Sequence, residues 1–165
     1  MKNFKSMMWA FALCIGLSSY VAEAATIPYG DFAATEVMYL DVTEDTRDEP
    51  LALYGAPSII GDTLDFDPNS FASMSSSSTG ANNSDVVDGQ LNFTVMSNSE
   101  FINIKNVIFN EAGDYTLAGL GGAAMATASV SAPVLYTITH ADGVATSPVN
   151  GSGNLVFSPS GSFAL

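Results

Sequence analysis

The sequence predicts an all-β protein, an antiparallel β-sandwich or jelly roll preceded by a signal-peptide helix. Three observations lead there. Beyond residue 24 the apolar residues recur with period two far more often than with the helical period. Gly, Pro, Asn and Asp interrupt the chain at short intervals, leaving no room for helices of ordinary length. The N-terminus has the three parts of an export signal. At 165 residues about one domain is expected, and residues 25–165 are assigned to it.

The export signal comes first. Lys2 and Lys5 supply the basic start, residues 7–17 form an apolar run, and Ala22-Glu23-Ala24 offers small residues where a signal peptidase reads. The run is too short to span ~30 Å of hydrocarbon, so cleavage after Ala24 is expected rather than anchoring. Cys14 lies inside the apolar run behind Leu13, without the small neighbour of a lipoprotein signal, and reads as apolar filler lost with the segment. The remaining chain has no cysteine, so it enters an oxidising compartment without a disulfide. Burial, backbone pairing or a bound ion must stabilise it.

Charge narrows the function classes. The chain has 17 Asp+Glu against 4 Lys+Arg, a formal charge of −13. Loss of Lys2, Lys5 and Glu23 moves it to −14. Such an acidic surface repels phosphate backbones and anionic lipid heads, which argues against nucleic-acid partners and electrostatic membrane docking. One histidine and no cysteine beyond the signal leave little basis for zinc, haem or thiol chemistry.

Each expected strand follows from its pattern. In residues 36–42, Met38, Leu40 and Val42 alternate with Val37, Tyr39 and Asp41. In residues 91–96, Leu91, Phe93 and Val95 point inward while Asn92 and Thr94 point out, the cleanest half-buried strand in the chain. Residues 101–109 are apolar and β-branched, but the parity of Ile102 and Ile104 gives way to Val107 and Phe109, so a bulge at Lys105-Asn106 is expected. Residues 114–117, 134–139, 154–157 and 162–165 supply further strands, and Asp142-Gly143 marks a tight hairpin after 134–139. The small-residue stretch 120–128 is expected to enter a strand near Ser129-Val130-Ser131. About eight to ten strands result. Residues 70–84, rich in Ser and Asn, read as a mobile loop that cannot repay its ordering entropy. Phe163-Ala164-Leu165 reads as a strand just beginning, and the C-terminus is expected to be incomplete.

Acidic residues cluster at Asp41, Glu44, Asp45, Asp48 and Glu49, and again at Asp62, Asp65 and Asp67. Calcium takes six to eight hard oxygens, which carboxylates and carbonyls of a loop can supply. Asp65-Phe66-Asp67 puts two carboxylates on one side of an extended segment, so Asp62, Asp65 and Asp67 are the candidate calcium ligands. The spacing is not that of an EF-hand, and Asp beside a turn also serves simply to bond its own backbone. No cofactor is otherwise expected.

No catalytic residue is assigned. Paired carboxylates are present in kind, but in so acidic a chain their abundance makes the pattern uninformative. Trp9 leaves with the signal, so Tyr29, Tyr39, Tyr54, Tyr115 and Tyr136 remain as sugar-stacking candidates, and tyrosines on strands equally serve packing. His140 stands at a hairpin mouth with no Gly-x-Ser-x-Gly nucleophile elbow in the chain. Gly119-Leu120-Gly121-Gly122 lacks the lysine of a phosphate loop. Sequons at Asn82, Asn92 and Asn150 arise readily in an Asn/Ser-rich chain.

Several stretches together resemble exported bacterial proteins of unassigned function associated with the PEP-CTERM sorting system. They are Tyr29-Gly30-Asp31-Phe32, residues 37–44, Leu53-Tyr54-Gly55-Ala56-Pro57, residues 61–68, residues 88–94, residues 109–115 and Gly153-Asn154-Leu155-Val156-Phe157. The Pro-Glu-Pro sorting tail of that group does not stand in this sequence. The resemblance implies a β-sandwich of the bacterial envelope or extracellular space, linked to exopolysaccharide or biofilm, and it carries over no catalytic residue. The expected function is therefore a noncatalytic exported surface or extracellular-matrix component associated with exopolysaccharide or adhesion, with a calcium- or glycan-binding module as the alternative and a carbohydrate-active enzyme behind both.

Overall fold

The computed structural model describes residues 25–47, 51–68, 70–76, 83–118 and 126–158, and the backbone of 162–164. The export signal with Cys14, the middle of the Ser-rich loop and the Gly119-Leu120-Gly121-Gly122 run lie outside the described residues.

Among the described residues the chain forms nine strands and no helix: β1 (Ala25–Ala33), β2 (Val37–Thr46), β3 (Ser58–Ile60), β4 (Thr63–Asp65), β5 (Gly89–Ser97), β6 (Thr127–Ser129), β7 (Pro133–Ala141), β8 (Val144–Asn154) and β9 (Ser162–Ala164). They pair antiparallel throughout, as a three-stranded sheet β1-β2-β5 and three two-stranded ribbons, β3-β4, β6-β9 and β7-β8. Thus the all-β, antiparallel expectation is met. No described helix is long and apolar enough to cross a membrane.

The three-stranded sheet is where the chain packs best. β1 and β2 form a hairpin whose turn closes with Ala34 N–H donating to the carbonyl of Val37 at 2.9 Å. Asn98, just past β5, secures that turn: its backbone N–H donates to the Glu36 carbonyl at 3.0 Å and its side-chain amide to the Thr35 carbonyl at 2.6 Å.

A bulge on β2 changes the expected alternation. Leu40 stands opposite Thr94 and Thr43 opposite Asn92, so β2 carries one more residue than β5 between these pairs. Asp41 takes up the excess with φ of 52°, and its N–H is held by Asp31 Oδ1 at 2.9 Å. Asx residues tolerate this left-handed conformation better than other side chains bearing a Cβ. The extra residue inverts parity. Met38 and Leu40 therefore do not share a face with Val42, contrary to the strict alternation read from sequence; Tyr39 does, opposite Val95, and Glu44 joins it opposite Leu91.

Beyond the bulge, Val42, Glu44 and Thr46 form a fully buried row. Leu53, Tyr54 and Phe71 cover it at the Gly89 end, where a Cβ on Gly89 would stand 2.8 Å from Leu53 Cδ1 and within 3.2 Å of both aromatic rings. Only a residue without a side chain admits that cover so close to the strand.

The C-terminal part differs from expectation in detail. Residues 103–118 are irregular, so neither the bulged strand at 101–109 nor the strand at 114–117 forms. An apolar run becomes a strand only when a neighbour accepts its backbone groups, and none pairs with this one among the described residues. Instead of a strand at 154–157, β8 ends at Asn154. The Asp142-Gly143 hairpin forms as expected, with φ of 50° and 72° at its two central residues, the signature of a type I′ turn.

Candidate functional site

Glu44 is the chemical centre of the described structure. The bulge at Asp41 turns its side chain into the covered face of β2, where it has no exposed surface. Its carboxylate has three donors. Tyr29 Oη donates to Oε2 at 2.6 Å, and Oε1 accepts from the backbone N–H of Leu53 and, at 3.2 Å, from that of Tyr54. A buried carboxylate satisfied in this way links β1, β2 and the 51–54 segment through one side chain.

An aromatic cluster surrounds it. Phe66 meets Tyr29 and Tyr54 edge-on, with ring centroids 6.5 and 6.1 Å away, and Tyr54 packs on Phe71 at 5.1 Å. Burial, followed by the bond to Glu44 and its negative charge, raises the Tyr29 phenol well above the usual tyrosine range. Burial also leads at Tyr54, and the charges of Glu111, Glu44 and Asp88 add to it, pushing that phenol up to about 12. Both phenols are therefore proton donors over the whole ordinary pH range.

No protein-family profile, curated protein or solved structure matches this chain.

The three candidate calcium ligands fall on and after the β3-β4 ribbon. Asp62 sits in its turn beside Gly61, with Oδ1 accepting from Glu36 N–H at 2.7 Å and its backbone carbonyl accepting from Tyr39 Oη at 2.6 Å. It therefore docks the ribbon onto β2, the backbone-bonding role open to any Asp at a turn. Asp65 ends β4 opposite Ser58, and Asp67 follows two residues later, both exposed. Phe66 between them turns into the aromatic cluster. Among the described residues no three His, Cys, Asp or Glu side chains gather where a metal ion could be held.

The first acidic cluster divides by parity. Glu44 is buried, whereas Asp45 on the opposite face accepts from Thr26 Oγ1 at 2.5 Å and from Asn92 Nδ2 at 3.0 Å. Of the tyrosines, Tyr29 and Tyr54 belong to the cluster, Tyr39 packs edge-on against Phe93 at 5.9 Å, and Tyr115 and Tyr136 are exposed. His140, exposed near the end of β7, has its Nδ1 3.1 Å from Thr139 Oγ1. The role of Glu44 is missed when it is counted as one more acid in a charged run. Its signal is positional, two residues after Val42 and two before Thr46 on a strand.

Proposed function

We propose that this chain is a noncatalytic exported protein of the bacterial cell surface or extracellular matrix, a β-sandwich over residues 25–165 that associates with exopolysaccharide or mediates adhesion. The observation that carries the reading is the use made of its acids. Glu44 is enclosed and occupied by three donors, and Asp31, Asp62 and Asp85 each accept a backbone N–H from a neighbouring segment. Carboxylates so engaged secure the chain to itself, whereas glycoside hydrolysis requires two that face the substrate. The sandwich arrangement draws support from the β1-β2-β5 sheet, which buries one face, and from the β7-β8 ribbon, which has one apolar face of its own. The resemblance to exported proteins associated with the PEP-CTERM sorting system points to the same location.

The test is expression in an exporting bacterium, followed by fractionation, N-terminal sequencing and co-sedimentation with exopolysaccharide. A product in the envelope or medium that begins at Ala25, sediments with the polymer and releases no reducing ends supports the reading. Cytoplasmic retention, or polymer cleavage by the purified chain, overturns it.

A calcium- or glycan-binding module is the second reading. It is favoured by Asp65 and Asp67 both lying exposed while Phe66 between them is held inward by Tyr29 and Tyr54. That arrangement keeps both acidic residues at the surface on one anchored segment, and calcium takes oxygens from just such loops.

A further inference from the structure

The β7-β8 ribbon has two different faces. Opposed residues in an antiparallel pair share a face, so Val134 with Gly153, Tyr136 with Gly151 and Ile138 with Val149 make an apolar side. Thr137 with Asn150 and Leu135 with Ser152 lie on the other, and there Thr137 Oγ1 donates to Asn150 Oδ1 at 2.7 Å. Tyr136 covers Gly151, yet it, Ile138 and Val149 remain exposed. An isolated two-stranded ribbon is marginal in water, and a third or fourth strand is what makes such a face stable.

The two outer edges of this ribbon are unequal. β8 carries Pro148, which offers no N–H to a further strand. β7 has no proline after Pro133 and no acid, Lys or Arg at all, and no strand pairs with its outer edge among the described residues. Natural edge strands are ordinarily blunted by lysine, proline or an inward charge, and β7 has none of these between Val134 and Thr139.

Charge selects what joins it. From Tyr115 to Leu165 the sequence holds one acid, Asp142, and no Lys or Arg, whereas the other acids after residue 24 lie between Asp31 and Asp114. Two copies of so acidic a chain repel over most of their surface. The β7 edge is where they approach without opposing carboxylates.

We propose that the open edge of β7 pairs antiparallel with β7 of a second copy, across a two-fold axis, to give a four-stranded sheet ordered β8-β7-β7-β8. Centred at Thr137, this pairing sets Tyr136 opposite Ile138 of the second copy and Ile138 opposite its Tyr136, and it joins the two apolar faces into one. The contact is isologous and closes at two copies, because Pro148 blocks growth at both outer strands.

The test measures the mass of the purified protein by sedimentation velocity across a wide concentration series, with hydrogen exchange at the β7 amides in the same samples. Mass rising from one to two copies, with β7 protection rising in step, is the expected result. Ile138→Lys should remain monomeric with an unchanged far-ultraviolet circular dichroism spectrum. A monomer at every concentration overturns the proposal, as does an Ile138→Lys protein that still dimerises. Equal protection at all concentrations of the β7 amides that do not bond β8 also overturns it, since the outer edge is then covered by the chain itself, with the apolar 101–109 segment the first candidate. The exchange measurement on the unsubstituted protein decides the matter even if the variant fails to fold.

Discussion

Tyr29 and Glu44, fifteen residues apart in sequence, are joined across neighbouring strands by a 2.6 Å bond from the phenol to a carboxylate with no exposed surface. The other oxygen of Glu44 holds the backbone of the 51–54 segment over the same sheet. Shape and charge at this point are therefore a single problem, because removing the acid leaves three donors without their acceptor, the Leu53 N–H buried and the other two half-buried.

Glu44→Ala should accordingly destabilise the protein by about 2 kcal/mol or more, since the buried Leu53 N–H left without a partner costs roughly 1–3 kcal/mol and the two half-buried donors add less. Glu44→Gln keeps an oxygen for the backbone N–H groups and an amide that can donate to the Tyr29 oxygen, so its cost should be closer to about 1 kcal/mol. Denaturant unfolding of the two variants measures the difference. Equal losses would show that the enclosed charge, rather than the pattern of bonds, sustains the site.

Alkali should unfold the protein by way of the same cluster. A tyrosine in the unfolded chain releases its proton near pH 10, whereas Tyr54 in the fold holds it to about 12 and Tyr29 is raised as well. Above pH 10 the unfolded state therefore binds fewer protons than the folded one, and stability falls as pH rises from there through the folded values. Below pH 10 these two phenols contribute no pH dependence. Phenolate absorbance followed against circular dichroism should show two tyrosines ionising only as the sheet melts, and Tyr54→Phe should flatten the fall.

Two glycines that face aromatic rings should respond differently to alanine. At Gly89 the new methyl meets Leu53, which is almost fully buried and has nowhere to move, so Gly89→Ala should cost about 1–3 kcal/mol. At Gly151 the methyl would overlap the end of the Tyr136 ring, but that ring is 53% exposed and can swing outward. Gly151→Ala should therefore shift the melting temperature little, and near-ultraviolet circular dichroism should record the displaced tyrosine.

Millimolar calcium should leave the melting temperature unchanged, because Asp62 is already engaged with Glu36 and Tyr39 and no three acids gather among the described residues. A ligand that binds only the folded state must raise that temperature. A rise that Asp65→Asn abolishes would move the calcium reading ahead of the structural one.

Much of the strand content is legible in the sequence, and the reasons for the exceptions are local. Leu91, Phe93 and Val95 alternate cleanly and fall on the covered face of β5, while Asp142-Gly143 announces its turn through two residues that tolerate positive φ. β2 is legible as a strand but not in its facing, because an aspartate at a bulge looks no different in sequence from one in regular alternation. β1 is not among the strands expected from the sequence, because Pro28, Gly30 and Asp31 interrupt its alternation; they sit where Gly30, with φ of 86°, and Asp41 distort the ladder together. Glu44 is hidden by its own chemistry. Composition places a carboxylate outside, and only the three donors from Tyr29, Leu53 and Tyr54 make its burial tolerable.

The order β1-β2-β5 has a consequence for how the molecule assembles itself. β1 and β2 meet through a three-residue turn, but β5 reaches β2 only after the whole stretch from Arg47 to Asp88 has been looped back. The entropy of that loop must be overcome before its contacts reward it, so the final strand of the sheet is the slow arrival. Until it docks, Val42, Glu44 and Thr46 have only one flanking strand beside them, and a polypeptide emerging N-terminus first meets that unguarded interval every time it folds.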